Sequence, residues 1–206
     1  LIRVKVDDAA DAARALYNAH SFIPAKSLVP YALISLYPDK IYTSGTDTYA
    51  AGTDYCPTTG YVGTESHALV ARDDILALER CARKAAKATA TVEVRPGSVK
   101  VDPMGYDAAE VPIYTDVRHL EIHHRIAALV SEAEQRPGAI PGVLALDPAL
   151  WARFAKVKAG TGRIADLLMT SALEPVFIKI GPTFRGLVMP IDRRVYESNI
   201  GPEGLW

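Results

Sequence analysis

"SHALVARDDILALERCARKAAKATATVEVRPGSVKVDP", residues 66–103, changes its periodicity twice. Ser66 to Val70 reads as a strand. Over 72–88 the apolar positions Ile75, Leu78, Ala82 and Ala85 recur at helical spacing, with Asp73 and Asp74 leading and bases closing, the order that the helix macrodipole favours. "TATVEVRP" and "SVKVDP" then read as two strands on either side of a Pro-Gly turn, and "AEVPIYT" at 109–115 adds a third. The unit is β-α-β-β-β.

The same order lies on both sides of it. Upstream, Ile2, Val4 and Val6 alternate as a strand, and "AADAARALYNAHSF" places Ala13, Leu16 and Ala19 on one helical face. "YALISLYPDKIYTSGTDTYAAGTDYC" follows, three short strands broken by Pro-Asp-Lys and Gly-Thr-Asp turns. Downstream, "HLEIHHRIAALVSEAEQR" (119–136) reads as a helix closed by Pro137-Gly138. A third unit then runs "GVLALD" (strand), "PALWARFAKVKA" (helix, with Asp147 as cap and Pro148 at its first position), "IADLLMTS", "VFIKIG" and "FRGLVMPI". Such repetition decides architecture. The expectation is an α+β protein with helices packed on one face of antiparallel sheets: a two-unit domain over 1–118, a linker helix over 119–139, and a C-terminal unit with a tail over 140–206.

A chain of 206 residues with 49% hydrophobic residues can bury a substantial core, and no stretch nears the roughly 20 apolar residues of a spanning helix. A soluble, cytoplasmic protein with no membrane partner is expected. Cys56 and Cys81 lack CxxC spacing and read as reduced and buried. The net charge of −1 leaves open a local concentration of Lys and Arg, so their placement matters more than the total.

"FRGLVMPIDRR" (184–194) runs an apolar strand into Pro190. Proline has no N–H for a ladder and belongs at edges, strand ends and bulges, so an edge strand that awaits a covering partner is expected. Together with "LVPYALISLYPDKIYTSGTDTYAAG", in which Thr46-Asp47-Thr48 is the nearest local match, and "VLALDPALWARFAKV" before "PVFIKIGPTFRGLVMPI", it resembles the bacterial DNA polymerase III β sliding clamp family, whose chains close on a similar Met-Pro tail. The resemblance covers about three quarters of the chain and implies a DNA clamp fold. It further implies double-stranded DNA held without sequence preference, a polymerase or other peptide-motif partner, and a homo-oligomeric ring. Carried over by position, Leu187, Met189, Pro190 and Ile191 would receive the partner. The family's subunits carry four or six half-domains, and this chain shows three.

A clamp's helices should be basic on the side away from the sheet, because sliding contact is made to phosphates. Arg80, Arg83, Lys84 and Lys87 form such a stripe in the second helix, opposite Ile75, Leu78, Ala82 and Ala85. Arg153 and Lys156 offer charge in the last helix, whereas the first offers only Arg14 and leads with acids. The alternatives are weaker. His119 and His123 lie one turn apart, but with no third ligand and no H-E-x-x-H they read as a polar helix face. "KAGTGR" (158–163) lacks the P-loop pattern, no nucleophile motif appears, and the tyrosines 37, 42, 49, 55 and 61 suit strands. Neither enzyme activity nor a cofactor nor a metal is expected. The alternative function is a clamp-derived interaction or regulatory module that does not encircle DNA.

Overall fold

Two near-equivalent units build the first domain by exchanging their first strands. The computed structural model describes residues 2–138, 144–159 and 164–192. The first unit comprises β1 (Ile2–Val6), α1 (Ala9–His20), β2 (Tyr31–Leu36), β3 (Lys40–Thr46) and β4 (Ala50–Pro57), followed by the short β5 (Gly60–Val62). The second comprises β6 (Ser66–Ala71), α2 (Arg72–Lys84), β7 (Ala90–Arg95), β8 (Ser98–Pro103) and β9 (Ala109–Pro112). β1 leaves its own unit to pair antiparallel with β7, Val4 opposite Val92, and β6 pairs antiparallel with β2, Leu69 opposite Leu33. One sheet therefore runs β5-β1-β7-β8-β9.

Alternation along each strand sorts the side chains between faces. Ala32, Ile34 and Leu36 on β2 and Ala90, Val92 and Val94 on β7 turn inward, onto a core shared with α1 and α2. Ala9, Ala12, Ala13, Ala15 and Ala19 are all buried in α1, so small side chains let this helix sit close among the strands and α2. Asp8 caps α1, its Oδ1 accepting from the Ala10 N–H at 2.8 Å.

The chain continues through α3 (Val117–Gln135), α4 (Pro148–Phe154), β10 (Ala165–Leu168), β11 (Val176–Ile180) and β12 (Phe184–Val188). The last three strands extend the other sheet, giving β10-β11-β12-β4-β3-β2-β6. β12 is thus an interior strand and not the edge expected from its proline: Leu187 faces Ala51 on one side and Phe177 on the other. The ladder ends at Val188, so Pro190 lies beyond it. The Met189 N–H donates to the Tyr49 carbonyl and the Ile191 N–H to the Ala145 carbonyl, and the proline falls between them, where no N–H is called for.

Two further expectations are corrected. α2 stops at Lys84, short of residue 88, because the chain turns out of the helix: Lys87 has φ of 72° and its N–H is captured by Asp8 Oδ1 at 2.8 Å. Lys87 therefore leaves the helical stripe on which its spacing had placed it. Residues 144–147 of the anticipated strand "GVLALD" are not a strand, and residues 142 and 143 lie outside the described residues, as do 160–163 of "KAGTGR" and the tail from Arg193.

A buried ionic network joins the units. Arg14 Nη1 reaches both carboxylate oxygens of Asp54, at 2.8 and 2.6 Å, and Thr183 Oγ1 at 2.6 Å. Asn18 donates to Asp54 and to the Lys158 carbonyl, and accepts from the Lys158 N–H. Satisfied on every side, the charges hold α1 against β4 and the third unit together.

Candidate functional site

α3 lies across the seven-stranded sheet on the face opposite α1, and its seat is built from a helical stripe. Ile126 and Val130 are buried with Ala51, Phe177 and Leu187, and Ile122, Leu129 and Ala133 pack around them. Arg185 of β12 pairs with Glu134 at 2.9 Å and closes the far end. His123, fully buried, fixes the near end. Its Nδ1 lies 3.0 Å from Ser44 Oγ and its Nε2 3.1 Å from the Tyr31 carbonyl, an arrangement served by a neutral ring that donates from Nε2 and accepts at Nδ1. Burial pulls its pKa down to about 4.

The histidines read as a polar face therefore form part of the docking face. His119 bonds the Leu28 carbonyl and pairs with Asp116, His123 is enclosed, and His124 rests against His67 with ring centroids 5.0 Å apart. Among the described residues, no three His, Cys, Asp or Glu side chains gather in a metal-binding group.

Beside this seat the helix and sheet diverge, leaving an apolar pocket of about 310 Å³. Leu187 and Met189 line it, as do Tyr49, Ile122, Leu129 and Arg125. Leu187 is buried in its wall, Met189 is 39% exposed at its mouth, and exposed Arg125 brings a positive charge to the lining. Pro190 and Ile191, half-buried, lie past the end of β12 and are not among the lining residues. The contribution of α3 escaped the sequence reading, which treated 119–139 as a linker. Ile122, Ile126, Leu129 and Ala133 at helical spacing were the available signal of a docked face.

The cationic residues fall into three situations. Arg80, Arg83 and Lys84 are exposed on α2, opposite the fully buried Ile75, Leu78 and Ala82, and Arg83 also reaches Glu79 at 3.1 Å. Lys87 and Lys156 are exposed in turns after their helices. Arg153 is turned inward and pairs with Asp47 at 2.5 Å, which ties α4 to the β3–β4 turn. A basic residue not singled out, Lys158, stacks on the Tyr17 ring of α1, its Nζ 3.7 Å from the centroid, adding charge beside a helix that otherwise has little to offer. Burial pushes the Cys56 thiol up to about 12, which keeps it unreactive.

Comparison by sequence matches no family model and no curated protein. Solved structures do match. A putative DNA polymerase III β subunit from Eubacterium rectale superposes with a TM-score of 0.67 at 8% identity, over 92% of this chain and 65% of that one. The Helicobacter pylori β clamp bound to a DNA ligase peptide gives 0.65 at 11%, over 93% and 66%. Caulobacter crescentus pol III β gives 0.64 at 13%, over 92% and 65%. The fold is that of the bacterial sliding clamps.

The resemblance read from the strand-helix repeats is therefore borne out at the level of fold, although fewer than one residue in seven is shared. The chain spans about two thirds of the length of these clamps. In clamp-fold terms β4, β9 and β12 are equivalent last strands of three half-domains, and α3 is an added layer over the junction between the first and third.

Proposed function

We propose that this clamp-fold protein is a non-catalytic accessory of DNA replication, which holds duplex DNA without sequence preference along its helix layer and receives a partner's peptide in the pocket between α3 and β12. The observation that carries the reading is the polarity of α2. Its apolar side is fully buried in the core, and Arg80, Arg83 and Lys84 stand together on the side that the sheets leave open. Lys158 and Lys156 extend the positive surface toward the third unit. Such a face contacts phosphates without reading bases.

Exchanging Arg80 and Lys84 for Glu tests it. Both side chains are exposed, so the fold should survive. Duplex affinity should fall, and the slope of log affinity against log salt should shrink by about 2, one unit for each phosphate no longer neutralised. Unchanged affinity and slope would remove DNA from the reading.

The pocket favours a second reading, a docking module that does not encircle DNA. An apolar peptide side chain would fill the 310 Å³ beside Leu187 and Met189, with an acidic neighbour facing Arg125. Met189→Asp is the discriminating variant, because Leu187→Asp would bury a charge and unfold the wall. A fluorescent clamp-binding peptide should bind the wild type and bind Met189→Asp at least about tenfold more weakly. Peptide binding without duplex binding would select the module, and equal binding to both forms would exclude the pocket.

A further inference from the structure

The first domain shows how one clamp half covers another, and the third unit lacks such cover. In the domain, α1 lies along α2, and each half lends its first strand to the other's sheet, β1 to β7 and β6 to β2. The helix-side residues of the strands that receive them are closed off: Ala32, Ile34 and Leu36 are at most 1% exposed, and Ala90, Val92 and Val94 at most 6%. β10 is the equivalent strand of the third unit. On its helix side Ala165 is exposed, Leu167 is 43% exposed, and Ile164 just before it is 76% exposed. Its outer edge ends the sheet.

α4 is in the same condition. Among the described residues no helix runs along it as α2 runs along α1. Trp151 is 37% exposed, and beside it a concavity of about 660 Å³ opens between Val157, Ala165 and Ile180. The segment before α4 supplies an independent observation. "VLAL" has the composition of a first strand and lies where a first strand belongs, yet Leu144 to Asp147 is not a strand. A first strand in this fold pairs with the sheet of the facing half, and the third unit has no facing half.

We propose that a second copy of this chain supplies it. Two third units mate face to face, α4 against α4, with the Leu144–Asp147 segment of each chain added to the open edge of the other's β10. A true twofold axis then rebuilds the domain that β1 to β9 build on a pseudo-twofold. The contact is isologous, so each copy offers the same surface twice and both open edges are closed at once. The occupant is a copy of the same chain because the first domain demonstrates that units of this kind cover one another in this geometry. The inference rests on the fold alone and stands apart from the DNA and peptide readings.

The test is the solution mass of the full chain by light scattering from about 1 to 100 µM, the range in which interfaces of ordinary size assemble. The wild type should reach twice the 22.3 kDa of one chain. The double variant Ile164→Asp, Leu167→Asp alters side chains that the single chain leaves exposed, so its circular dichroism should be unchanged while dimer dissociation rises at least about 100-fold. Val62→Asp, equally exposed at the β5 edge, should leave the dimer intact. A monomer at every concentration would overturn the proposal, and so would a dimer indifferent to the double variant. Neither result would bear on duplex or peptide binding, which the Arg80, Lys84 and Met189 variants report separately.

Discussion

His123 shows how one residue can report the attachment of a whole element. The ring is enclosed between Ser44 and the Tyr31 carbonyl, and burial lowers its pKa from the usual 6.5 to about 4. A depressed histidine pKa means that the unfolded chain binds the proton first, so stability rises with pH between about 4 and 6.5 and is lost as pH falls through that window. The contribution is about 3 kcal/mol at full extent. His20 and His67, lowered chiefly by burial, act in the same direction. The prediction is therefore differential: between pH 7 and pH 4.5 the thermal midpoint of the wild type should fall more steeply than that of His123→Asn, which retains polar atoms but does not titrate. Parallel pH profiles would mean that α3 is anchored elsewhere. The sequence showed this histidine but not its burial, because four polar residues within six positions read as a solvated face.

At the scale of elements, the join between β4 and β12 depends on a pair of glycines. Gly52 faces Gly186 across the ladder. A Cβ at Gly52 would lie 2.4 Å from the Phe22 ring, and one at Gly186 2.5 Å from the Phe154 ring. The space without side chains admits Phe22, Phe154 and Phe184, with centroids 4.9 to 6.2 Å apart, so α1, α4 and β12 share one aromatic cluster. None of this was legible in "AAGTDYC" or "FRGLV", since a strand glycine does not announce what approaches it. What local pattern controls was legible. The strand 98–103 was read to the residue, and α1, α2 and the meander strands were placed within a few positions. The misreadings share one cause, a partner distant in sequence. Asp8 stops α2 early, β4 makes an interior strand of a segment whose proline suggested an edge, and "VLAL" lacks the sheet that would make it a strand.

The molecule as a whole contains one large core and two small ones, and this inequality predicts how it opens. The large core is shared by both halves of the first domain and includes β1, β2, β7, β8, α1 and α2. The third unit is held by the aromatic cluster behind Gly52, by the seat of α3 and by the network of Arg14, Asp54 and Thr183. A smaller apolar core behind each strand means a lower free energy of local opening. In hydrogen exchange at a dilution where the chain is monomeric, amides of β7 and β8 should exchange slowest, those of β11 and β12 earlier, and those of β10, open on one edge, first. Slow exchange throughout β10 to β12, matching β7, would show one cooperative unit instead. Raising the concentration until the chain dimerises should slow β10 selectively and leave β7 unchanged, because only the third unit acquires a covering half. Slowing spread evenly over all strands would place the dimer interface elsewhere on the clamp fold.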